Sequence, residues 1–322
     1  MAPPLNMQAR QEFEKVLAAR YPGLIRKVRT YIEASERAFA NQKDGETPSF
    51  LWEHTVLVAG LADRMARDEG LDADAAVLAA LFHDAGKFGG GRYHEDDRPE
   101  EAAAARFAER TMRTAGIVAS TRKKVTAAVR ALYGPRVDQL PLAAVVHDAD
   151  FLAKAGTLGA AVFFIKSTLR GRTLLDAVRN SLSKELTYAA ALPANMRTRS
   201  GRRLAARRAR TTQSFFRDLL GELHESQGLD LRVARASVPL PGRRPLDVRL
   251  VMSRTCDRCG AGRWRPAFAI ERGVKCETLE ALVSCGRCEN EFRVSFCIPE
   301  ISPAASRISP ARGLRAVRRA RR

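Results

Sequence analysis

The chain has 322 residues, 45% of them apolar, a composition typical of a globular protein with one large domain or two smaller ones. No apolar run reaches the roughly 18 residues that a transmembrane helix needs. Charged residues are scattered through the first 20 positions, which argues against a secretory signal. We therefore expect a cytoplasmic protein that does not contact a membrane.

The formal net charge is +19, and the basic residues are clustered. Seven Arg lie between residues 197 and 210, and six lie between residues 312 and 322. Such clusters suit a phosphate-rich partner, RNA or DNA above all. The alternative is a solvated basic helix face followed by a disordered basic tail, neither of which needs a partner.

Amphipathic helical patterns follow one another through most of the first 230 residues. Buried polar groups need partners, and a metal ion would satisfy a histidine and a carboxylate together. A single histidine on an apolar face is nevertheless more often a core residue than a ligand. Three predicted helices carry polar groups among apolar residues: one over 47–70 with His54, one over 72–84 ending in His83-Asp84, and one over 142–152 with His147-Asp148-Ala149-Asp150.

At these positions the chain resembles the HD-domain superfamily of metal-dependent phosphohydrolases. The resemblance covers roughly residues 45–170 and includes the order of the pieces along the chain. It implies an all-helical fold. The segments that carry it are Trp52-Glu53-His54-Thr55, Leu81-Phe82-His83-Asp84-Ala85-Gly86-Lys87 and Asp148-Ala149-Asp150-Phe151-Leu152.

The resemblance also implies one divalent metal, held by His54, His83, Asp84 and Asp150. Histidine and carboxylate donors suit Mn, Fe, Co, Ni, Zn or Mg, and the pattern does not choose among them. The metal would polarise a phosphoryl oxygen and lower the pKa of a bound water, which attacks phosphorus. Family members with two metals carry more histidines before the last aspartate than this chain does, so we expect a single metal.

Two aspartates compete for the last ligand position. Asp150 is preferred because its surroundings are similar to the family's Ala-Asp-x-Leu segment, and Asp148 remains the alternative. His147 lies three residues before Asp150 and can share its helix face, so it is a candidate to orient a metal ligand.

Basic residues near the predicted site are candidates to bind the substrate phosphate. They are Lys87, Arg92, Lys154 and Arg170, and plain surface solvation is the alternative for each. Asp84, Lys87 and His94 are the predicted catalytic residues. The three consecutive glycines before Arg92 indicate a flexible loop that could cover the site or connect two helices.

All six cysteines lie between residues 256 and 297, which indicates a local metal site. Two knuckles supply four thiolates, Cys256, Cys259, Cys285 and Cys288, and four thiolates suit a tetrahedral structural Zn²⁺. The 25 residues between the knuckles exceed the usual spacing of about 15–20, so a longer hairpin is expected. Cys276 and Cys297 remain as packed thiols or as replacements for one ligand.

The predicted fold class is mainly α, an all-helical HD-domain bundle followed by a small β zinc ribbon. We expect a helical phosphohydrolase domain over 1–235, a Pro/Arg-rich linker over 236–249, a zinc ribbon over 250–300 and a disordered tail over 301–322. Prolines and a glycine indicate the linker. A ribbon of this size needs its zinc to fold.

Two functions remain open at this stage. The first is a phosphohydrolase that cleaves a phosphate ester of a nucleotide or nucleic acid, by either monoester or diester chemistry. The second is a nucleic-acid-binding protein in which the helical domain is a scaffold. In the second, the ribbon would contact phosphates and stack on bases through Arg254, Arg258, Arg263, Arg265 and Trp264.

Overall fold

The computed structural model describes residues 14–40, 50–88, 100–169, 171–272 and 277–298. Within these ranges the helices all lie before residue 228 and the strands all follow it, so the predicted fold class is confirmed. Residues 14–20 are helical. The further helices are α1 (Leu24–Ala40), α2 (Phe50–Asp68), α3 (Ala73–Phe82), α4 (Glu100–Thr114), α5 (Ala119–Ala131), α6 (Pro141–Ala153), α7 (Gly156–Leu169), α8 (Leu174–Asn195) and α9 (Arg199–Gln227).

Helix α3 lies at the centre of the bundle. Asp72 caps it by accepting a hydrogen bond from the Ala75 N–H at 3.0 Å. Every residue from Ala75 to Phe82 is buried, and five of these eight are not larger than valine. Small side chains let the neighbouring helices approach closely. Helix α3 therefore delivers the residues that follow it, beginning with His83, into the interior of the bundle.

The Arg-rich segment at the start of α9 ties this helix to the bundle. The Arg203 guanidinium pairs with Asp68 of α2 at 2.9 Å, and that of Arg197 pairs with Asp138 at 3.3 Å. Arg208 donates to the Leu152 carbonyl of α6, and burial lowers its pKa. Part of this basic cluster therefore has a structural role.

Two small antiparallel sheets follow α9. The first pairs β1 (Leu231–Val238) with β2 (Leu246–Ser253), and the second has the order β3 (Trp264–Arg272), β4 (Glu277–Cys285) and β5 (Glu291–Cys297). The expected linker over 236–249 is thus the turn of a hairpin and the strand ends beside it. The prolines stand in or beside the turn, but the alternating residues around them pair as strands.

Hydrogen bonds connect the β region to helix α8. The amides of Arg249 and Val251 on β2 donate to Thr187 at 3.0 Å and Ser183 at 2.9 Å, which are four residues apart on one helix face. Tyr188 donates its hydroxyl to the Cys297 carbonyl at 2.7 Å. The expected domain boundaries stay a prediction, while α8 provides a shared packing surface for both regions.

Among the described residues, no single helix has both the length and the apolar character of a membrane span. The bent pair formed by α6 and α7 passes the same test of length and composition when its two helices are taken together. The basic tail predicted over 301–322 lies outside the described residues.

Candidate active site

Four of the predicted residues converge at the centre of the bundle. His54 comes from α2, His83 and Asp84 directly follow α3, and Asp150 comes from α6. The His54 Nε2 atom lies 2.8 Å from Asp150 Oδ1, although the two residues are 96 positions apart. The ligand atoms of His54, His83 and Asp150 all lie within 4.8 Å of one another. Asp84 Oδ2 lies 3.5 Å from His83 Nε2 and 3.9 Å from His54 Nε2.

His83 carries the clearest evidence that a metal fits here. Its Nδ1 atom lies 2.6 Å from the Ala80 carbonyl and donates to it, so in the neutral imidazole the lone pair is on Nε2. This Nε2 is buried and has no hydrogen-bond partner in the described residues. Its neighbours are carboxylate oxygens of Asp84 and Asp150 at 3.5 and 3.7 Å. A cation between these atoms would satisfy all of them.

The charges at the site also suit a metal. Burial lowers the pKa of His54 to about 4, which leaves its imidazole neutral at physiological pH. Burial by itself would raise the pKa of Asp84, but His83 and Lys87 hold it below its ordinary value. Burial likewise opposes ionisation of Asp150, whose pKa Lys154 and His54 keep well below the usual range. Burial opposes protonation of His83, but the carboxylates of Asp84 and Asp150 raise its pKa, so this imidazole would release a proton when a metal binds. Neutral imidazoles and ionised carboxylates are the forms that bind metals.

Two side chains hold the Asp150 carboxylate. The Tyr133 hydroxyl donates to Oδ2 at 2.9 Å, and the Lys154 ammonium lies 2.7 Å from Oδ1 and 2.8 Å from Oδ2. Sequence reasoning missed Tyr133, because it stands in an ordinary helix end and belongs to no motif. Only the packing of α5 on α6 brings it to the site.

Asp148, the alternative ligand, has other partners. Its carboxylate accepts from the amides of Arg197 and Thr198 and from the Thr198 hydroxyl, at 2.8 to 3.1 Å. The His147 Nδ1 atom is 3.0 Å from Asp148 Oδ1, so His147 contacts this carboxylate and not the one that was predicted. Asp148 thus anchors the start of α9, while Asp150 faces the histidines.

The predicted substrate-binding residues are only partly described. The Lys87 ammonium lies 3.0 Å from Asp84 Oδ2, and Lys154 contacts Asp150, so both stand at the edge of the metal-binding cluster. The structure does not describe Arg92, His94 or Arg170. Lys87 and Lys154 both line a groove of about 540 Å³ that opens beside the cluster.

The four knuckle cysteines form a second cluster, and their sulfur atoms lie within 4.8 Å of one another. Sγ of Cys256 is 3.6 Å from that of Cys288, and Sγ of Cys259 is 3.5 Å from that of Cys285. A tetrahedral Zn²⁺ with Zn–S bonds of about 2.3 Å separates its sulfurs by about 3.8 Å. The geometry therefore fits zinc. Cys297 is disulfide-bonded, so it does not replace any of the four.

Comparison with known proteins agrees with the first cluster. Residues 51–155 match the family model described as HD domain. Similar solved structures include a predicted HD superfamily hydrolase from an uncultured Thermotogales bacterium, with 22% identity over 60% of this chain and 91% of that chain, and a TM-score of 0.41. No curated protein is similar enough to count as a match.

Two Bacillus structures are also similar. An HD-superfamily hydrolase from Bacillus thuringiensis shares 19% identity over 63% of this chain and 100% of its own, with a TM-score of 0.44. YpgQ of Bacillus subtilis in complex with ADP shares 22% identity over 59% of this chain and 97% of its own, with a TM-score of 0.43. The matched segment contains all four converging residues, and the predicted resemblance is confirmed over residues 51–155, which match the HD domain.

Proposed function

We propose that the chain is a metal-dependent phosphohydrolase that cleaves a phosphate ester of a nucleotide or nucleic acid. The observation that carries the proposal is the buried, unpartnered Nε2 of His83, which faces two ionised carboxylates beside the neutral imidazole of His54. A purely structural cluster would pair this nitrogen with a hydrogen-bond donor or acceptor.

One divalent metal would be held by His54, His83, Asp84 and Asp150. Such a metal supplies Lewis acidity at a phosphoryl oxygen and lowers the pKa of a water. Two imidazoles and two carboxylates make a mixed donor set that Mn, Fe, Co, Ni, Zn and Mg all accept. These four residues are sufficient for a single metal. The other buried histidine of the described residues, His147, contacts Asp148 and belongs to neither group of possible metal ligands.

The remaining residues of the chain would place and neutralise the phosphate. Lys87 stands beside Asp84 with a fifth of its side chain exposed, so its ammonium can reach a bound anion. Lys154 is two-fifths exposed and can do the same from the other side, while it holds Asp150 together with Tyr133. A carboxylate fixed by two donors keeps its orientation when substrate binds.

The experiment compares the wild type with Asp84→Ala and with the control Asp218→Ala, which removes an exposed carboxylate of α9. Each protein is loaded with each candidate metal and assayed on a panel of nucleotides, oligonucleotides and p-nitrophenyl phosphate. Mutation of a residue that only supports a metal ligand lowers activity by roughly 10- to 100-fold. Because Asp84 is a proposed ligand itself, we expect Asp84→Ala to lower the hydrolysis rate by more than this. The control should keep the wild-type rate.

Two results would overturn the proposal. One is a wild type that hydrolyses no phosphate ester with any metal. The other is an Asp84→Ala variant as active as the Asp218→Ala control. Metal content measured on the same samples shows whether a lost rate follows a lost ion.

The second candidate function is binding of nucleic acid by the cysteine cluster and its arginines. The exposed side chains of Arg254, Arg258, Arg263 and Arg265 around this cluster favour it. Trp264 packs edge-on against Phe292 at 5.5 Å, so it belongs to the interior of the small sheet and not to a base-stacking surface. Changing the four arginines to Gln should abolish salt-dependent RNA binding if this surface carries it.

A further inference from the structure

The groove beside the HD site extends well beyond the metal-binding cluster. It lies between α7 and α8 and includes residues of α9, and β5 forms part of its wall through Ser295, Phe296 and Cys297. Lys87 and Lys154 line it, so it is continuous with the site. Along α8 it runs from Asn195 to Asn180, which is about 20 Å at 1.5 Å per residue.

The groove is positively charged along its length. Beyond Lys87 and Lys154 it is lined by Lys166, Arg172 and Lys184, and Glu185 is the sole acidic residue among its described lining residues. A line of cations that continues past a phosphate-cleaving site matches a ligand with several phosphates in a row.

Other lining groups favour a ligand that also carries bases and sugars. Asn195 is 2% exposed, and its Oδ1 acceptor is buried without a hydrogen-bond partner in the described residues. Phosphate oxygens cannot satisfy an acceptor, whereas a base amino group or a sugar hydroxyl can. Phe151 and Tyr188 add half-buried aromatic rings of the kind on which unpaired bases stack, and the ammonium groups of Lys154 and Lys184 already lie over one face of these rings.

The size of the groove separates single strands from duplexes. Its volume of about 540 Å³ is that of a pocket for a small ligand or a short strand segment. A duplex, whose major groove alone is about 12 Å wide, does not enter such a space.

We infer that this groove binds a short stretch of single-stranded RNA or DNA and leads one of its phosphates to the HD site. The inference rests on the proposed phosphohydrolase function and narrows its substrate to an oligonucleotide. It also gives the cysteine cluster a purpose. The sheet that the cluster stabilises contributes β5, and β5 is a wall of the groove.

The test compares two full-length variants that lose three positive charges each. The groove variant is Lys166→Gln, Arg172→Gln and Lys184→Gln. The control is Arg106→Gln, Lys123→Gln and Arg130→Gln, all exposed on α4 and α5 and absent from the groove. Both proteins are first compared with the wild type by circular dichroism and thermal unfolding.

The measurement is fluorescence anisotropy of a labelled single strand of about twelve nucleotides across a range of salt concentrations, as RNA and as DNA. For a single strand, each phosphate contact contributes about −0.7 to the slope of log K against log salt concentration. The groove variant should therefore show a slope shallower by about 2 and a dissociation constant at least tenfold weaker. The control should bind as the wild type does.

Two outcomes overturn the inference. One is equal oligonucleotide binding by the two variants. The other is a groove variant that weakens the binding of ATP and of the oligonucleotide by the same factor, because the groove would then bind a mononucleotide. If the wild type hydrolyses no ester but the two variants still differ in oligonucleotide binding, the phosphohydrolase function is wrong and the binding groove is supported. If the wild type is active and the two variants bind the oligonucleotide equally, only the role of the groove is wrong.

Discussion

The two clusters of metal-binding side chains are built in opposite ways. The HD cluster gathers His54 and Asp150 from two helices and His83 and Asp84 from the turn after a third, and its members are up to 96 positions apart. The cysteine cluster takes its four sulfurs from two tight knuckles joined by one strand pair. The first is surrounded by the large apolar core of the bundle, whereas the second stands at the edge of a three-stranded sheet.

This difference indicates which of the two sites needs its metal in order to fold. The bundle buries Trp52, Phe82 and many aliphatic side chains, so it can hold its ligands in position by packing. The sheet of β3, β4 and β5 buries few residues of its own and borrows part of its core from β2 and α8. We therefore expect a metal that serves chemistry in the bundle and a metal that serves folding in the sheet.

The largest expected effect is loss of the sheet when its cysteines are changed. Cys256→Ser with Cys259→Ser removes half of the sulfur ligands, and structural zinc contributes about 10–16 kcal/mol in small zinc-binding units. Hydrogen exchange should accelerate across β3, β4 and β5 while α2 and α3 stay protected. Asp84→Ala, which removes a ligand of the other cluster, should leave exchange of the bundle unchanged. If the sheet of the cysteine variant stays protected from hydrogen exchange, the metal of the cysteine cluster is not needed for folding.

The next effect separates two aspartates on one helix. Asp148→Ala leaves the amides of Arg197 and Thr198 and the Thr198 hydroxyl without this acceptor, and each buried group left unsatisfied should destabilise the protein by about 1–3 kcal/mol. Asp150→Ala removes the carboxylate that contacts His54, so it should abolish activity. Its loss of stability should be smaller, because the Lys154 ammonium is two-fifths exposed and can be solvated by water instead. Urea unfolding and hydrolysis assays on both variants measure the difference. If Asp150→Ala is the less stable of the two, their roles are reversed.

A smaller effect tests how closely α9 fits against Asp148. A Cβ on Gly201 would overlap Asp148 Oδ2, so Gly201→Ala should destabilise the protein by about 1–3 kcal/mol. Gly221 lies on the same helix with open space around its Cα. Gly221→Ala is the matched control and should stabilise the helix by up to about 1 kcal/mol. Thermal unfolding of both variants gives the comparison, and equal shifts would contradict the tight fit.

The smallest effect concerns Tyr133, which supports Asp150 from outside the ligand set. Tyr133→Phe keeps the ring and removes one hydrogen bond, so stability should fall by about 1 kcal/mol. Metal affinity should fall by about tenfold, at the lower end for residues that orient a ligand. Isothermal titration with Mn²⁺ measures this, and Tyr188→Phe, which changes a tyrosine away from the HD cluster, is the control. Unchanged affinity would show that Lys154 and His54 hold Asp150 without help from Tyr133.

Short-range patterns in the sequence determined the helical class, the HD pair and the two cysteine knuckles. Each of these depends on residues within a few positions of one another. Asp72 begins its helix and His83 follows that helix because local capping decides both. Knuckle spacing likewise brings two thiolates together whatever the rest of the chain does.

Only the tertiary structure decided which aspartate faces the histidines, and it alone revealed Tyr133, the groove and the docking of β2 on α8. Asp148 and Asp150 have almost the same sequence surroundings, and they differ in the direction in which each leaves α6. That direction matters only once α2 and α9 have packed on either side. Contacts between distant segments leave no periodic trace in a single sequence, because the side chains that make them obey the local pattern of their own helix or strand.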